Sequence, residues 1–192
     1  MTNSAGLRPA HPRIPALRAD ELDEVQRRLV GGISPQFTTV PNVVLTLVRQ
    51  PELYEAFLPL AGRLLNGSSF SDRQRELVIM RTAVVVGSRY EWGQHVALSR
   101  DLFDERDLAR IVAGPSAPGW DDLEGALVSA VDELHDGGGI TDATWARLAA
   151  GLDQRQLVEL PMLVGQYHMI AFVVHALGIQ PEEGSADLPA AG

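Results

Sequence analysis

Helix start and stop signals recur along the whole chain, and the alternating patterns typical of β-strands are nearly absent. Most stretches with apolar residues three and four positions apart follow a serine, threonine, aspartate or proline and end at a glycine. Ser71, for example, opens a helix that runs to about Val86, where Gly87 breaks the chain, and the longest helix opens at Asp153 and ends at Gly178. We therefore predict an all-α fold of about eight to nine helices.

The length of 192 residues, 45% of them apolar, allows one domain with a full core and is too short for two comfortable ones. We predict a single helical domain over 19–179, between an extended N-terminal tail, 1–18, and a C-terminal tail, 180–192. Both tails are expected to be poorly ordered. Because 1–18 contains no apolar run of signal-peptide length, we expect a cytoplasmic protein.

The charge and the missing cysteines exclude several classes of function. A net charge of −9, with no local basic cluster, argues against binding of nucleic acid. The absence of cysteine excludes disulfides, cysteine-ligated zinc and a thiol nucleophile. We therefore expect no dithiol-dependent peroxidase activity.

The run from Leu157 to Leu177 is apolar enough to be mistaken for a membrane span. Glu159, Gln166 and His168 interrupt it, and such polar groups are costly in a bilayer. We interpret the run as a helix buried in the core or at a subunit interface. Because it has more apolar surface than a small domain readily hides, we predict a homo-oligomer that does not bind membranes.

Two carboxylates and one imidazole are the strongest candidates for chemistry. Glu91 and His95 are four residues apart and share one helix face. A break at Gly87 allows this helix to fold against the preceding one, which carries Glu76. In a partly apolar cleft these groups suit acid and base catalysis near neutral pH, because burial raises the pKa of a carboxyl group. We predict Glu76, His95 and Glu91 as the catalytic residues.

Five further residues are predicted to contact a small-molecule substrate: Tyr90, Ser88, Trp92, Arg81 and His168. The arginine suits a substrate carboxylate or an adjacent subunit, the aromatic residues suit a pocket wall or the core, and His168 is expected in the same pocket as His95.

No metal site and no cofactor are predicted. His168 and His175 lie two helical turns apart, and no local motif supplies the third ligand that a metal site needs. Arg73 and Arg75 are interpreted as part of a solvated helix face.

The same candidate residues have structural interpretations. Ser88 and Glu91 have the spacing of a capping box, in which each side chain accepts a hydrogen bond from a backbone N–H at the helix start. Glu76 suits the positive end of its helix, and His95 suits a histidine satisfied within the core. These alternatives are compatible with a functional role, because one residue can both cap a helix and face a pocket.

The pattern resembles the carboxymuconolactone decarboxylase-like family, which includes the alkylhydroperoxidase-D-like proteins. The resemblance runs from Pro41 to Gly178, and the spacing from Glu76 to His95 is its specific part. It also includes three short motifs: Pro41-Asn42, Tyr90-Glu91-Trp92 with His95, and Gly165-Gln166-Tyr167-His168-Met169. The resemblance implies a single-domain helical bundle of the alkylhydroperoxidase-D-like type, whose subunits form trimers, hexamers or related oligomers.

In the peroxidase branch of that family, a CxxC pair receives protons from an upstream glutamate and a downstream histidine. Aligned without gaps, Ser88 and Glu91 occupy the two cysteine positions, and Glu76 and His95 match the proton relay. Without the cysteines the peroxidase activity does not carry over. The decarboxylase branch implies cofactor-free loss of a carboxylate from a lactone acid, assisted by acid and base groups.

Two hypotheses follow from this resemblance. The first is a cofactor-independent enzyme that acts on a small organic acid, lactone or related carbonyl compound by decarboxylation or another carbon–carbon lyase or isomerase step. The second is a non-catalytic member that serves as a small-ligand-binding or oligomeric interaction protein. A closed cleft that holds a small anion in crystals of the purified protein favours the first, whereas polar groups used entirely by caps and ion pairs, with no cavity, favour the second.

Overall fold

The computed structural model describes residues 8–32 and 39–189, and these contain nine helices and no strand. The predicted all-α fold of about eight to nine helices is therefore confirmed. The helices are α1 (Glu24–Gly31), α2 (Asn42–Leu47), α3 (Pro51–Asn66), α4 (Asp72–Val86), α5 (Arg89–Leu98), α6 (Glu105–Ala113), α7 (Asp122–Gly137), α8 (Asp142–Gly151) and α9 (Gln154–Leu177).

Helix α4 is the centre of the bundle and packs against α5, α6, α7 and α9. Ser71 and Gln74 form a complete capping box at its start. From Glu76 to Ala83 every residue is buried, so the helix is covered on all sides. A helix in this position brings any polar residue that it carries into the core, where that residue needs a partner.

The apolar side chains form one large cluster, a smaller one, and a third around Tyr90, Val174 and Ile179. The large cluster, which we call the main core, joins α4, α7 and α9 through fully buried residues such as Leu77, Leu127 and Leu163. The smaller cluster lies around Val48 and Tyr54 and joins the N-terminal segment to α1, α2 and α3.

The described parts of both predicted tails pack on the domain, which corrects the expectation of poorly ordered ends. In the N-terminal segment, the Arg13 N–H donates to the Leu177 carbonyl at 2.8 Å, and Leu17 is buried. In the C-terminal segment, the Asn42 side chain donates to the Gln180 carbonyl at 3.1 Å, and Leu188 packs against the main core. These contacts join residues far apart in sequence, so composition alone does not reveal them.

Helix α9 is long and apolar enough to cross a membrane by length and composition, with a mean hydropathy of 1.5 over its best 18 residues. It also contacts α3, α4, α5, α7 and α8. These contacts agree with its interpretation as a core helix. One side of α9 remains exposed and apolar.

Candidate active site

A tight corner between α4 and α5 positions the catalytic candidates. Gly87 has a φ of +64°, a left-handed conformation that glycine adopts without steric cost. Its N–H donates to the Val84 carbonyl at 3.0 Å, and the Ser88 N–H donates to the Ala83 carbonyl at 2.8 Å. This pair of bonds is a Schellman motif, which ends α4 and turns the chain directly into α5.

Only half of the predicted capping box at the start of α5 is present. The Ser88 hydroxyl accepts a hydrogen bond from the Glu91 N–H at 3.3 Å. The return bond from the Ser88 N–H to the Glu91 carboxylate is missing, because the Ala83 carbonyl already accepts from that N–H. The Glu91 carboxyl group is therefore not used by the cap, and it lines a cavity instead.

Glu76 and His95 are in direct contact, as their spacing predicts. Oε2 of Glu76 lies 2.7 Å from Nδ1 of His95, and both side chains are buried. Arg75 donates to the other carboxylate oxygen, Oε1, from Nε at 3.2 Å and Nη2 at 3.1 Å. This carboxylate holds the imidazole with Nδ1 toward the core and Nε2 away from it.

Glu91 stands on the opposite side of the same imidazole. Its Oε2 lies 4.0 Å from Nε2 of His95, and the edge of the Tyr167 ring packs against His95 at a centroid distance of 5.1 Å. Glu76, His95 and Glu91 thus form a row from the core to the cavity, which we call the acid–base row. His95 and Glu91 line the cavity, and Glu76 supports His95 from behind.

The buried row shifts the pKa of each of its members. Burial raises the pKa of Glu91 to about 7, helped by the negative charge of Glu182 and opposed by His95. Burial alone lowers the pKa of His95, but the charge and hydrogen bond of Glu76 outweigh it and leave that pKa above its usual value. For Glu76 burial acts upward, yet His95 and Arg75 together hold the pKa below its usual value. Near neutral pH the row therefore contains groups able both to take and to give a proton.

The cavity has a volume of about 330 Å³ and lies between the α2–α3 pair and the α5–α9 pair. Most of its wall is apolar. It is lined by Gly32, Pro41, Val43, Val44, Leu47, Tyr54, Phe57, Leu58, Ala61, Gly62, Leu65, Asn66, Tyr90, Glu91, Gln94, His95, Leu98, Gln166, Tyr167 and Ile170. A small apolar space with a few polar groups at one end is typical of a site for a small molecule.

Glu182 organises one wall of this cavity, although it was not among the predicted site residues. Its Oε1 accepts from the Asn42 N–H at 2.7 Å and from the Tyr90 hydroxyl at 2.9 Å, and its Oε2 accepts from the Gln94 side chain. The Tyr90 hydroxyl also accepts from the Val43 N–H at 3.1 Å. No local pattern indicates this role, because Asn42 and Glu182 are 140 residues apart.

Gln166 interrupts the apolar run of α9 and belongs to the motif from Gly165 to Met169, but it was not among the predicted site residues. It lines the cavity and is 7% exposed, and its Oε1 has no hydrogen-bond partner in the described part of the chain. Most buried polar atoms in proteins are paired, so an unpaired one at a cavity wall needs an explanation.

Of the five predicted substrate contacts, Tyr90 lines the cavity, whereas Ser88 and Trp92 do not. Ser88 is fully buried beneath the start of α5, where it serves as the helix cap. Trp92 packs in the main core and faces a separate cavity beside α6. Successive residues of a helix point about 100° apart, so the residue after Glu91 cannot share its face.

Arg81 and His168 also lie outside the cavity, which corrects their predicted role. Arg81 pairs with both carboxylate oxygens of Asp132 at 2.6 and 2.7 Å and donates to the Ile111 and Val112 carbonyls. Its guanidinium therefore joins α4 to α6 and α7. Nε2 of His168 lies 2.9 Å from Nδ1 of His135, on a different side of α9 from Gln166.

The arginines interpreted as a solvated face are instead partners of buried acids. Arg75 contacts Glu76, and Arg73 contacts Asp107 at 3.1 Å and Glu124 at 2.7 Å. Their positions in the first turn of α4 resemble an exposed helix start, and Asp72 in that turn is exposed, but both arginines are half-buried against their partners. Within the described residues, no group of three or more His, Cys, Asp or Glu side chains is placed to hold a metal ion.

Residues 51–133 match the model of the Carboxymuconolactone decarboxylase family. The matched segment contains the whole acid–base row and extends from the start of α3 into α7. No curated protein matches the sequence.

Several solved structures have the same fold. An uncharacterized peroxidase-related protein from Silicibacter sp. TM1040 is 20% identical, with a TM-score of 0.77 over 92% of this chain and 96% of that one. The alkylhydroperoxidase AhpD core protein from Ralstonia eutropha JMP134 is 18% identical, with a TM-score of 0.76 over 91% and 95%. The debrominase Bmp8 in complex with 2,3,4-tribromopyrrole is 13% identical, with a TM-score of 0.76 over 91% and 94%.

Proposed function

Because the resemblance to the carboxymuconolactone decarboxylase-like family is confirmed in sequence and in fold, we propose that this protein is a cofactor-independent acid–base enzyme. Its substrate is a small organic acid, lactone or related carbonyl compound bound in the 330 Å³ cavity. The observation that carries the proposal is the acid–base row, in which Glu91 is not used by the helix cap and faces a largely apolar cavity beside His95. We further propose that it acts in the cytoplasm.

Each member of the row has a separate task in this proposal. Glu76 is a positioning residue that accepts the Nδ1 proton of His95 and stabilises the imidazolium. His95 Nε2 and the Glu91 carboxyl group face the substrate and exchange protons with it. Burial in a largely apolar space strengthens these interactions, because few water dipoles screen them.

Two kinds of step fit this machinery. In an isomerisation, the base removes a proton from the carbon beside a carbonyl, and the conjugate acid returns a proton at another atom. In a decarboxylation, the bond to the carboxylate breaks, its electron pair remains on the substrate carbon, and the protonated group supplies a proton to that carbon while carbon dioxide leaves. Both need only acid and base groups.

The chemistry of the chain itself narrows the possibilities. The sequence contains neither cysteine nor lysine, so neither a thiolate nor a protein Schiff base contributes to catalysis. Two structural neighbours are described as peroxidase-related, but thiol-dependent turnover is not available to this chain. Bmp8 was solved with a halogenated pyrrole, which supports the use of this fold for small ring compounds.

A non-catalytic small-ligand-binding protein is the second candidate, and the apolar cavity with its unpaired Gln166 amide favours it as a specific alternative. The two candidates differ in what they require of the acid–base row. A binding protein needs only the shape and polarity of the row, whereas an enzyme needs the row to transfer protons.

The test measures hydrogen exchange and turnover for a panel of lactones and ketones in deuterated water, using wild type and the Glu91→Gln variant. Glutamine keeps the shape and polarity of Glu91 but cannot transfer a proton, so we expect a rate lower by about 10²–10⁴-fold. His135→Gln, which removes a histidine outside the cavity, serves as the control and is expected to match wild type. Equal rates for wild type and Glu91→Gln would contradict the role of Glu91, and no catalysed exchange with any compound would favour the binding protein.

A further inference from the structure

Among the described residues, no arginine or lysine side chain lines the cavity, and His95 is the one lining residue that can carry a positive charge. None of the arginines in 8–32 or 39–189 lines it, the chain has no lysine, and the stretch 33–38 includes no charged residue in its sequence. Arg75, which contacts the acid–base row at Glu76, is also paired with Asp72. The arginine that was predicted to receive a substrate carboxylate is held by Asp132 instead.

The charge that does face the cavity is negative. Glu91 lines the wall, and Glu182 lies behind Tyr90 and Gln94, close enough to act on Glu91. The positive charge available on His95 is already balanced by Glu76 on its other side. A carboxylate placed in this cavity meets a like charge and finds no unengaged cation, and such juxtapositions are strongly unfavourable in a space with little water.

Gln166 supplies the complementary observation. Its amide oxygen is an acceptor with no partner in the described residues, on a side chain more than nine-tenths buried at the cavity wall. The rest of the wall near it, including Tyr167 and Ile170 on the same helix, is mostly apolar. A ligand that donates a hydrogen bond to this oxygen satisfies it, and a ligand without a donor leaves it unsatisfied.

We infer that the substrate is a small uncharged molecule, apolar over most of its surface and with a hydroxyl or N–H group that donates to Gln166. This inference rests on the proposed function, because it assumes that the bound molecule is a substrate. It narrows the proposed substrates to uncharged lactones and carbonyl compounds. It disfavours loss of a carboxylate and favours proton shifts and related lyase steps. Gln166 is thereby assigned as a specificity-determining residue that touches the ligand and does not take part in proton transfer.

The test compares three probes of similar size, benzyl alcohol, benzoate and toluene, in calorimetric titrations of the full-length protein at about pH 8, where Glu91 is mostly ionised. We expect benzyl alcohol to bind about tenfold or more tighter than benzoate, because the anion is repelled. It should also bind about three- to tenfold tighter than toluene, which has no donor for Gln166.

Two variants separate the charge argument from the hydrogen-bond argument. Gln166→Leu should bring benzyl alcohol down to the affinity of toluene and raise the melting temperature, because an unpaired buried polar group is removed. Gln154→Leu, at an exposed position on the same helix, should leave all three affinities unchanged. Glu91→Gln should improve the binding of benzoate and leave that of benzyl alcohol nearly constant.

Benzoate binding as tightly as benzyl alcohol would overturn the inference. So would equal binding of benzyl alcohol by wild type and Gln166→Leu, or no binding of benzyl alcohol at millimolar concentration. Because these titrations need no turnover, the expected preferences in a protein without activity would uphold the inference about the ligand while contradicting only the proposed catalysis.

Discussion

At the scale of single residues, the acid–base row couples three ionisable groups that respond to pH in different directions. Glu76 is held in its ionised form by His95 and Arg75, whereas burial favours the protonated form of Glu91. His95 is favoured in its charged form because Glu76 contacts it directly. The stability of the fold therefore depends on pH through these residues.

We predict that the free energy of unfolding falls as the pH rises from about 5 to about 8. The raised pKa of His95 gives stability that is present below the ordinary value of 6.5 and is lost as the pH rises through the folded value. Glu91, with a pKa raised from 4.5 to about 7, acts in the same direction, because only the folded state still holds its proton between these values. Glu76 acts oppositely, and its contribution is lost as the pH falls below 4.5.

Urea denaturation at a series of pH values measures this dependence. The Glu91→Gln variant removes one of its causes, so its stability should fall less steeply with pH, by on the order of 3 kcal/mol at most across the window. Glu52→Gln, at an exposed position in the first turn of α3, provides the control and should retain the wild-type slope. An unchanged slope for Glu91→Gln would show that Glu91 does not hold a proton at neutral pH.

At the scale of the elements, the turn at Gly87 has both a structural and a functional role. Its Schellman motif engages the Ser88 N–H, and this is the reason that Glu91 does not complete a capping box. The same corner sets the angle between α4 and α5 and so determines whether Glu76 meets His95. A change in this turn therefore affects the acid–base row without altering any of its residues.

We predict that Gly87→Ala lowers the free energy of unfolding by about 1–2 kcal/mol, because alanine is strained at a φ of +64°. The added Cβ also falls on the Arg8 guanidinium, whose flexible end has to move. Gly137→Ala is the matched control. Gly137 is helical, has open space around it and, unlike Gly87, is not itself left-handed, although the glycine after it is. That variant should be slightly more stable than wild type by about 0.4–1 kcal/mol, and equal stability of the two variants would contradict the role of the turn.

At the scale of the whole molecule, the exposed side of α9 is an apolar surface that the described chain leaves uncovered. Val158, Met162, Met169 and Phe172 are between 42% and 66% exposed and lie along one stripe of the helix. Monomeric soluble proteins rarely expose a long contiguous apolar stripe. The stripe therefore supports the prediction of a homo-oligomer assembled through α9, with a trimer or hexamer as the proposed size.

Light scattering at micromolar concentration tests this prediction. Wild type should have a mass that is a multiple of the 20.8 kDa chain, and Phe172→Glu should shift it toward the monomer, because a charge on the stripe opposes burial. Val25→Glu introduces the same charge at an exposed position of α1 and should leave the mass unchanged. A stable wild-type monomer would contradict the prediction.

The local patterns of the sequence were sufficient to predict the all-α fold, and together with the family resemblance they indicated the pairing of Glu76 with His95. Helix starts, helix ends and four-residue spacings are local features, so Ser71, Gly87 and the Glu91–His95 spacing can be interpreted without knowing which helices pack together. A helix–break–helix segment also leaves few ways for the two helices to meet. For these reasons the predicted contact within the row agrees with the structure.

Long-range packing determines which other residues lie beside the acid–base row. Arg81 pairs with Asp132, and His168 contacts His135, both on α7. Glu182, from the other end of the chain, lies at the cavity wall. These partners are tens of residues away, and a helical sequence does not specify which face of each helix meets which neighbour. Charged side chains are buried only beside the partners that long-range packing brings to them. The cation expected in the site is therefore paired elsewhere, and the cavity that remains suits an uncharged ligand.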